Sequence, residues 1–231
     1  MHQNGADLNA AANFDKITPL HLAVALEHIE IVKYLHQNGA DPEAESIFFT
    51  TPVSMAIKRG HVEVVKYFHQ NGHLLIPLHT AAYWKQLNVV KYLIHQAGFD
   101  VNTATAHDGR TALHYVLNAF QFLHSGNKAG YPEMVNYLIQ NGANVNAVDF
   151  NNDTPLHIFL KRGNDLLEGL PMPPRHACFD LAIVEYLVQN GANVNARNNE
   201  DVSPVGLAVE EEDYQLVDYL VANGASFQTW G

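Results

Sequence analysis

A single cysteine, Cys178, occurs in 231 residues, so no disulfide can form within the chain and a reducing, intracellular, cytoplasmic setting is the simpler expectation. Basic residues are scarce as well. Against 24 Asp and Glu there are only 13 Lys and Arg, and the formal charge of −11 repels phosphate backbones, which makes nucleic acid an unfavourable partner. No apolar run approaches the length of about 18 residues that spans a bilayer. The opening MHQNGADLN has no basic stretch followed by an apolar one, so neither membrane insertion nor export is expected. Catalytic signatures are missing too: there is no G-x-S-x-G, no Gly-rich phosphate loop and no H-E-x-x-H. What is present, 47% hydrophobic and 16% charged residues, is enough to bury a sizeable core.

The organising feature is a repeat. A tail signal, NGA or a variant, places glycines at Gly5, Gly39, Gly72, Gly98, Gly142, Gly191 and Gly224, at spacings of 34, 33, 26, 44, 49 and 33. A head signal precedes each glycine after the first: TPLHLA from Thr18, TPVSMA from Thr51, IPLHTA from Ile76, TALHYV from Thr111, TPLHIF from Thr154 and SPVGLA from Ser203. Thr or Ser before Pro can cap free N–H groups where a helix starts. Gly near the end of a second helix allows the left-handed turn that stops it. Between these signals, Ile31, Val32, Tyr34 and Leu35 follow helical spacing.

These residues resemble the ankyrin repeat family, whose units of about 33 residues carry T-P-L-H-x-A. The resemblance covers essentially the whole chain and implies an all-α solenoid of helix-turn-helix units joined by β-hairpin loops. One ankyrin-repeat domain over 1–231 is expected, with a partial repeat at 1–12 and six repeats at about 13–45, 46–75, 76–105, 106–148, 149–197 and 198–231. The chain begins inside a repeat, which points to a piece of a longer protein.

The period breaks in two ways. From head to tail glycine the interval is 20 or 21 residues in repeats one, two, three and six, but 30 from Ala112 to Gly142 and 36 from Pro155 to Gly191. Insertions between helices are therefore expected at about 119–130 and 164–178. The first carries Phe120, Phe122 and Leu123, and the second Pro171, Pro173 and Pro174, which favour polyproline II. From tail to head the interval is 13 or 14 residues, except the 5 between Gly72 and Pro77, where a hairpin is nearly absent.

Fourteen histidines invite a metal site, yet His21, His79, His114 and His157 share one head position in separate repeats, and His36 and His69 share one on second helices. Helices packed 8–10 Å apart keep such positions from converging on one ion. Bonds to the neighbouring hairpin backbone are the expected role, and no metal or other cofactor is assigned. The run Glu210, Glu211, Glu212 and Asp213 reads as a solvated loop.

The resemblance implies a protein–protein interaction scaffold, not an enzyme, that binds a protein partner along the face of hairpins and first helices and is monomeric by itself. An alternative is the recognition module of a larger enzyme or of a secreted bacterial effector acting in the host cytoplasm, since Asn- and His-rich repeats resemble those of ankyrin effectors. Carried over position by position, the contact residues are Phe14, Phe48, Phe49, His107, Arg110, Phe150 and Asn151 at hairpin tips. At first-helix ends they are Leu26, Lys58, Arg59, Tyr83, Trp84, Lys161 and Arg162, together with Ala25, Asn118 and Ala119. Asn102, Asn146 and Asn195, each after a valine, resemble asparagines that hydroxylases modify in ankyrin proteins. Their structural role would be to bond their own turn.

Overall fold

In repeats one, two, five and six the head signal builds an N-terminal cap. Thr18, Thr51, Thr154 and Ser203 hold extended backbone, and their hydroxyl oxygens accept the N–H three residues on, at 3.1–3.4 Å. In the computed structural model, which describes residues 7–11, 14–73, 77–121, 129–161 and 181–226, six helix pairs follow in chain order. They are α1 (Pro19–Ala25) with α2 (Ile29–Gln37), α3 (Pro52–Arg59) with α4 (Val62–Gln70), and α5 (Pro77–Tyr83) with α6 (Leu87–His95). Then come α7 (Ala112–Gln121) with α8 (Tyr131–Gln140), α9 (Pro155–Leu160) with α10 (Leu181–Gln189), and α11 (Pro204–Glu210) with α12 (Tyr214–Ala222). Second helices stop at the tail signal. Gly39 takes φ +94, the left-handed turn expected of it, while Asn38 Nδ2 donates back to the Tyr34 carbonyl at 2.7 Å. Asn71, Asn141, Asn190 and Asn223 repeat that bond to Tyr67, Tyr137, Tyr186 and Tyr219.

The described residues fall into two compact units, Met1–Asp100 and Val101–Gly231. In the first, α1, α3 and α5 pack side by side, each against its own second helix. Leu20, Val24, Val32, Val64, Val65 and Phe68 are sealed from solvent there. Truncating a fully buried Phe such as Phe68 to Ala costs about 3–5 kcal/mol, so this interior holds the repeats in register. In the second unit α9 lies between α7 and α11 and buries Leu156, Phe159 and Leu160.

The hairpins depart from expectation. No strand occurs among the described residues, because their fingers close by backbone bonds between residues only a few positions apart and are too short for a ladder. Ser46 donates to the Thr50 carbonyl at 3.1 Å, Thr105 to Arg110 at 2.9 Å, Asp149 to Asp153 at 3.0 Å and Asn198 to Val202 at 3.1 Å. Of the first expected insertion, 119–121 extends α7, whereas 122–128, with Phe122 and Leu123, lies outside the described residues, as does the Phe120 side chain. The insertion at 164–178 with its prolines, Arg162, Cys178, the start of the partial repeat at 1–6 and the junction 74–76 also lie outside them.

Candidate functional site

Fingertips share one backbone demand. Lys16, Phe49, Gly109, Asn152 and Asp201 occupy the same tip position, all with φ between +52 and +75. Gly, Asn and Asp adopt this left-handed region at little cost, but a bulky side chain there is an outlier. Phe49 therefore stands on unfavourable backbone, and its ring is also 85% exposed. At the same tips Phe14 is 98% exposed, Phe48 69% and Phe150 63%. Neighbouring fingers are joined by backbone bonds within each unit: Ile47 to the Asp15 carbonyl at 3.1 Å, Phe150 to Asp108 at 2.9 Å and Asn199 to Asn151 at 2.9 Å. The Phe150 ring leans on Gly109, where an added Cβ would lie 2.6 Å from it.

Beneath the tips, histidines fasten helices to fingers. In repeat five the Thr154 N–H donates to His157 Nδ1 at 3.2 Å, and Nε2 reaches the Val202 carbonyl of the next finger at 3.1 Å. His114 does the same with Thr111 and Asp153, and His21 with Thr18 and Thr50. The bond to the neighbouring finger is the expected one. The second bond, which makes histidine part of its own helix cap, went unread in the sequence.

Asparagines form a second ladder. Asn146 Nδ2 donates to the Gly191 carbonyl at 2.8 Å, and its Oδ1 accepts the Asn193 N–H at 2.7 Å. Asn102 links Gly142 and Asn144, and Asn195 links Gly224 and Ser226, in the same way. These three thus bond the following repeat, not their own turn. The turn itself is bonded two residues earlier, where Asn144 Oδ1 accepts the Asn146 N–H and Asn193 Oδ1 the Asn195 N–H. Asn9, bonded to Gly39 and Asp41, extends the pattern into the first unit.

The candidate contact residues divide by what else they touch. Arg110 Nε bonds the buried Asp149 carboxylate at 3.0 Å, and Lys161 Nζ the buried Asp153 at 2.6 Å, where Asn198 also donates at 2.9 Å. Both cations are paired with internal carboxylates and keep part of their side chains exposed. His107 and Asp108 meet the Tyr115 hydroxyl at 3.0 Å each. Burial first, then the Asp108 hydrogen bond and charge, push the Tyr115 phenol up to about 12. Burial is also the largest influence on Asp108 and would raise it. Hydrogen bonds from Thr105, the Arg110 backbone and Tyr115, with the His107 charge, outweigh that and hold its carboxyl low.

At first-helix ends, Arg59 donates to the Ala25 carbonyl at 3.1 Å, Lys58 Nζ lies 4.1 Å over the half-exposed Trp84 ring, and Tyr83 meets Trp84 edge-on at 5.3 Å. Leu26 is exposed and Ala25 half-buried. Asn118 is half-buried and Ala119 buried, because α7 continues to Gln121 and carries these positions inside the helix. Phe14, Phe48, Phe49 and Phe150 thus remain as large side chains that their own unit leaves largely uncovered. Asn151 follows Phe150 at the same tip and is exposed.

Helix pairs, capped heads and finger ladders at this period define a repeat protein of one kind. The family model "Ankyrin repeats (3 copies)" matches residues 20–105, 54–124, 78–171 and 122–229. The chain belongs to the ankyrin repeat family. It is 35% identical to mouse Ankyrin repeat domain-containing protein 53 over 81 residues, 35% of this chain and 15% of that protein. It is 27% identical to Alpha-latrocrustotoxin-Lt1a of Latrodectus tredecimguttatus over 164 residues, 71% of this chain and 9% of the toxin. The chain therefore spans only a small part of both relatives. Among solved structures, the ankyrin repeat domain of Bcl-3, a member of the IkappaB protein family, aligns over 95% of this chain and 88% of its own with a TM-score of 0.65 and 25% identity. Ankyrin repeats are in general protein–protein interaction modules, and no helix among the described residues is long and apolar enough to cross a membrane.

Proposed function

We propose that this chain is a non-catalytic scaffold that captures a protein partner on its fingertip aromatics, with the adjoining first-helix ends, Leu26 and the Lys58–Trp84 pair, as the rim. The observation that carries this reading is Phe49. Its ring is exposed and its backbone left-handed, two costs with no return inside the unit. Strain of this kind collects where binding needs a particular side chain, and large aromatics dominate binding energy at protein interfaces. Phe14 and Phe48 place two further exposed rings on the fingers of the same unit. The lone Cys178 supports a reducing, cytoplasmic setting.

The test captures partners with the wild-type chain, identifies them by mass spectrometry, and measures the affinity of the purified partner for Phe48→Ala and Phe49→Asn. Each variant should weaken binding by about 2 kcal/mol or more while its urea midpoint stays level or, for Phe49→Asn, rises. Unchanged affinity in both variants moves the site off the fingertips.

A further inference from the structure

The residue after the tail glycine is Ala40, Ala143, Ala192 or Ala225 in four repeats, His73 in repeat two and Phe99 in repeat three. In all six the backbone N–H is bonded to the last turn of the second helix, at 2.9–3.0 Å. The His73 side chain turns back onto the preceding repeat and brings its Nε2 to 3.0 Å from His36 Nε2. The other nitrogen of His36, Nδ1, lies 2.8 Å from the Tyr67 hydroxyl. Both rings are half-buried, edge-on at 4.9 Å.

We infer that His36 and His73 form a two-imidazole site for a borderline divalent ion such as Zn²⁺, with the remaining positions filled by solvent or by a partner's side chain. Two nitrogens each about 2.0–2.1 Å from one zinc lie about 2.9 Å apart at a right angle and about 3.4 Å apart at the tetrahedral angle. The observed 3.0 Å falls inside that range, so the two nitrogens already stand at the spacing that one ion requires. Tyr67 can accept the proton of the tautomer that the site needs. A proton on Nδ1 shared with the phenol oxygen leaves the Nε2 lone pair of His36 aimed at the site, as outer partners of metal-bound histidines do. The Glu43 carboxylate, within electrostatic reach of His73, offsets part of the ion's charge without being a ligand. No group of three or more His, Cys, Asp or Glu among the described residues could hold a metal, which limits the chain's own share to these two ligands. His69 repeats the histidine–tyrosine bond to Tyr92 at 2.7 Å, but its neighbour is the Phe99 ring at 5.8 Å. The site exists only where the tail carries His73.

Zn²⁺ titrated into the full chain and followed by calorimetry should show one equivalent bound more tightly than any other. His73→Phe, which copies the side chain already accommodated at Phe99, and His36→Gln should each weaken that equivalent at least tenfold with unchanged circular dichroism. Tyr67→Phe should weaken it several-fold, and His69→Ala and His107→Ala should leave it intact. No one-equivalent phase in the wild type, or the same affinity in folded His73→Phe, overturns the inference.

Discussion

Lowering the pH from 7.5 to 5 should strip stability from the unit that holds His114 and His157. Both rings are fully buried. In each, the N–H of the capping threonine donates to Nδ1, so Nδ1 carries the lone pair and Nε2 carries the proton given to the finger carbonyl. A second proton would have to sit on Nδ1, facing that N–H. Burial, the largest influence on both, holds each pKa below the ordinary 6.5. The unfolded chain therefore takes up protons from about pH 6.5 downward while the folded chain does not, until its own lowered pKa is reached. Stability is full above that window and is lost as the pH falls through it. One histidine contributes at most about 1.4 kcal/mol per pH unit, and the pair at most about 2.7. Urea denaturation at half-unit steps measures the slope, with His114→Gln/His157→Gln as the comparison, since glutamine can still donate to the finger. Equal slopes in the two proteins, or wild-type stability that rises on acidification, would refute the reasoning.

Two further outcomes follow from single bonds. Asn146→Ala removes both rungs that tie the fourth finger base to the fifth, at 2.7 and 2.8 Å, and should lower stability by about 1–2 kcal/mol; an unchanged urea midpoint would show that water replaces the rungs. Lys161→Met leaves the buried Asp153 carboxylate without its cation and should cost about 3 kcal/mol, most of it recovered in Lys161→Met/Asp153→Asn. No recovery in the double variant would mean that the lysine acts through packing.

Local chemistry was legible in the sequence and long-range pairing was not. Thr18 with Pro19, or Asn38 with Gly39, announces a helix end within a few residues, and the structure places caps and left-handed turns there. Nothing in the sequence marks Asp149 and Asp153 as buried, because their partners Arg110 and Asn198 stand 39 and 45 positions away. Arg110 and Lys161 read as available cations in the sequence, and the structure pairs them with Asp149 and Asp153. The left-handed tip was visible in Asn152 and Asp201, which favour it, and hidden by Phe49, which does not.

One correlation could have been read from the letters alone. The head-signal histidine is present in His21, His79, His114 and His157, each followed by a tail-to-head interval of 13 or 14 residues. It is replaced by Ser54 where the following interval shrinks to 5, and by Gly206 in the last repeat. The reason lies in the two nitrogens. In His21 and His157, Nδ1 serves the histidine's own cap and Nε2 the carbonyl of the next finger. Without a full-length finger after repeat two, a histidine Nε2–H at position 54 would lack this acceptor, a cost of about 1–3 kcal/mol. Ser54 avoids that cost and keeps the cap, its hydroxyl accepting the Thr51 N–H at 2.9 Å. The substituted head at Ser54 therefore matches the shortened interval that follows it.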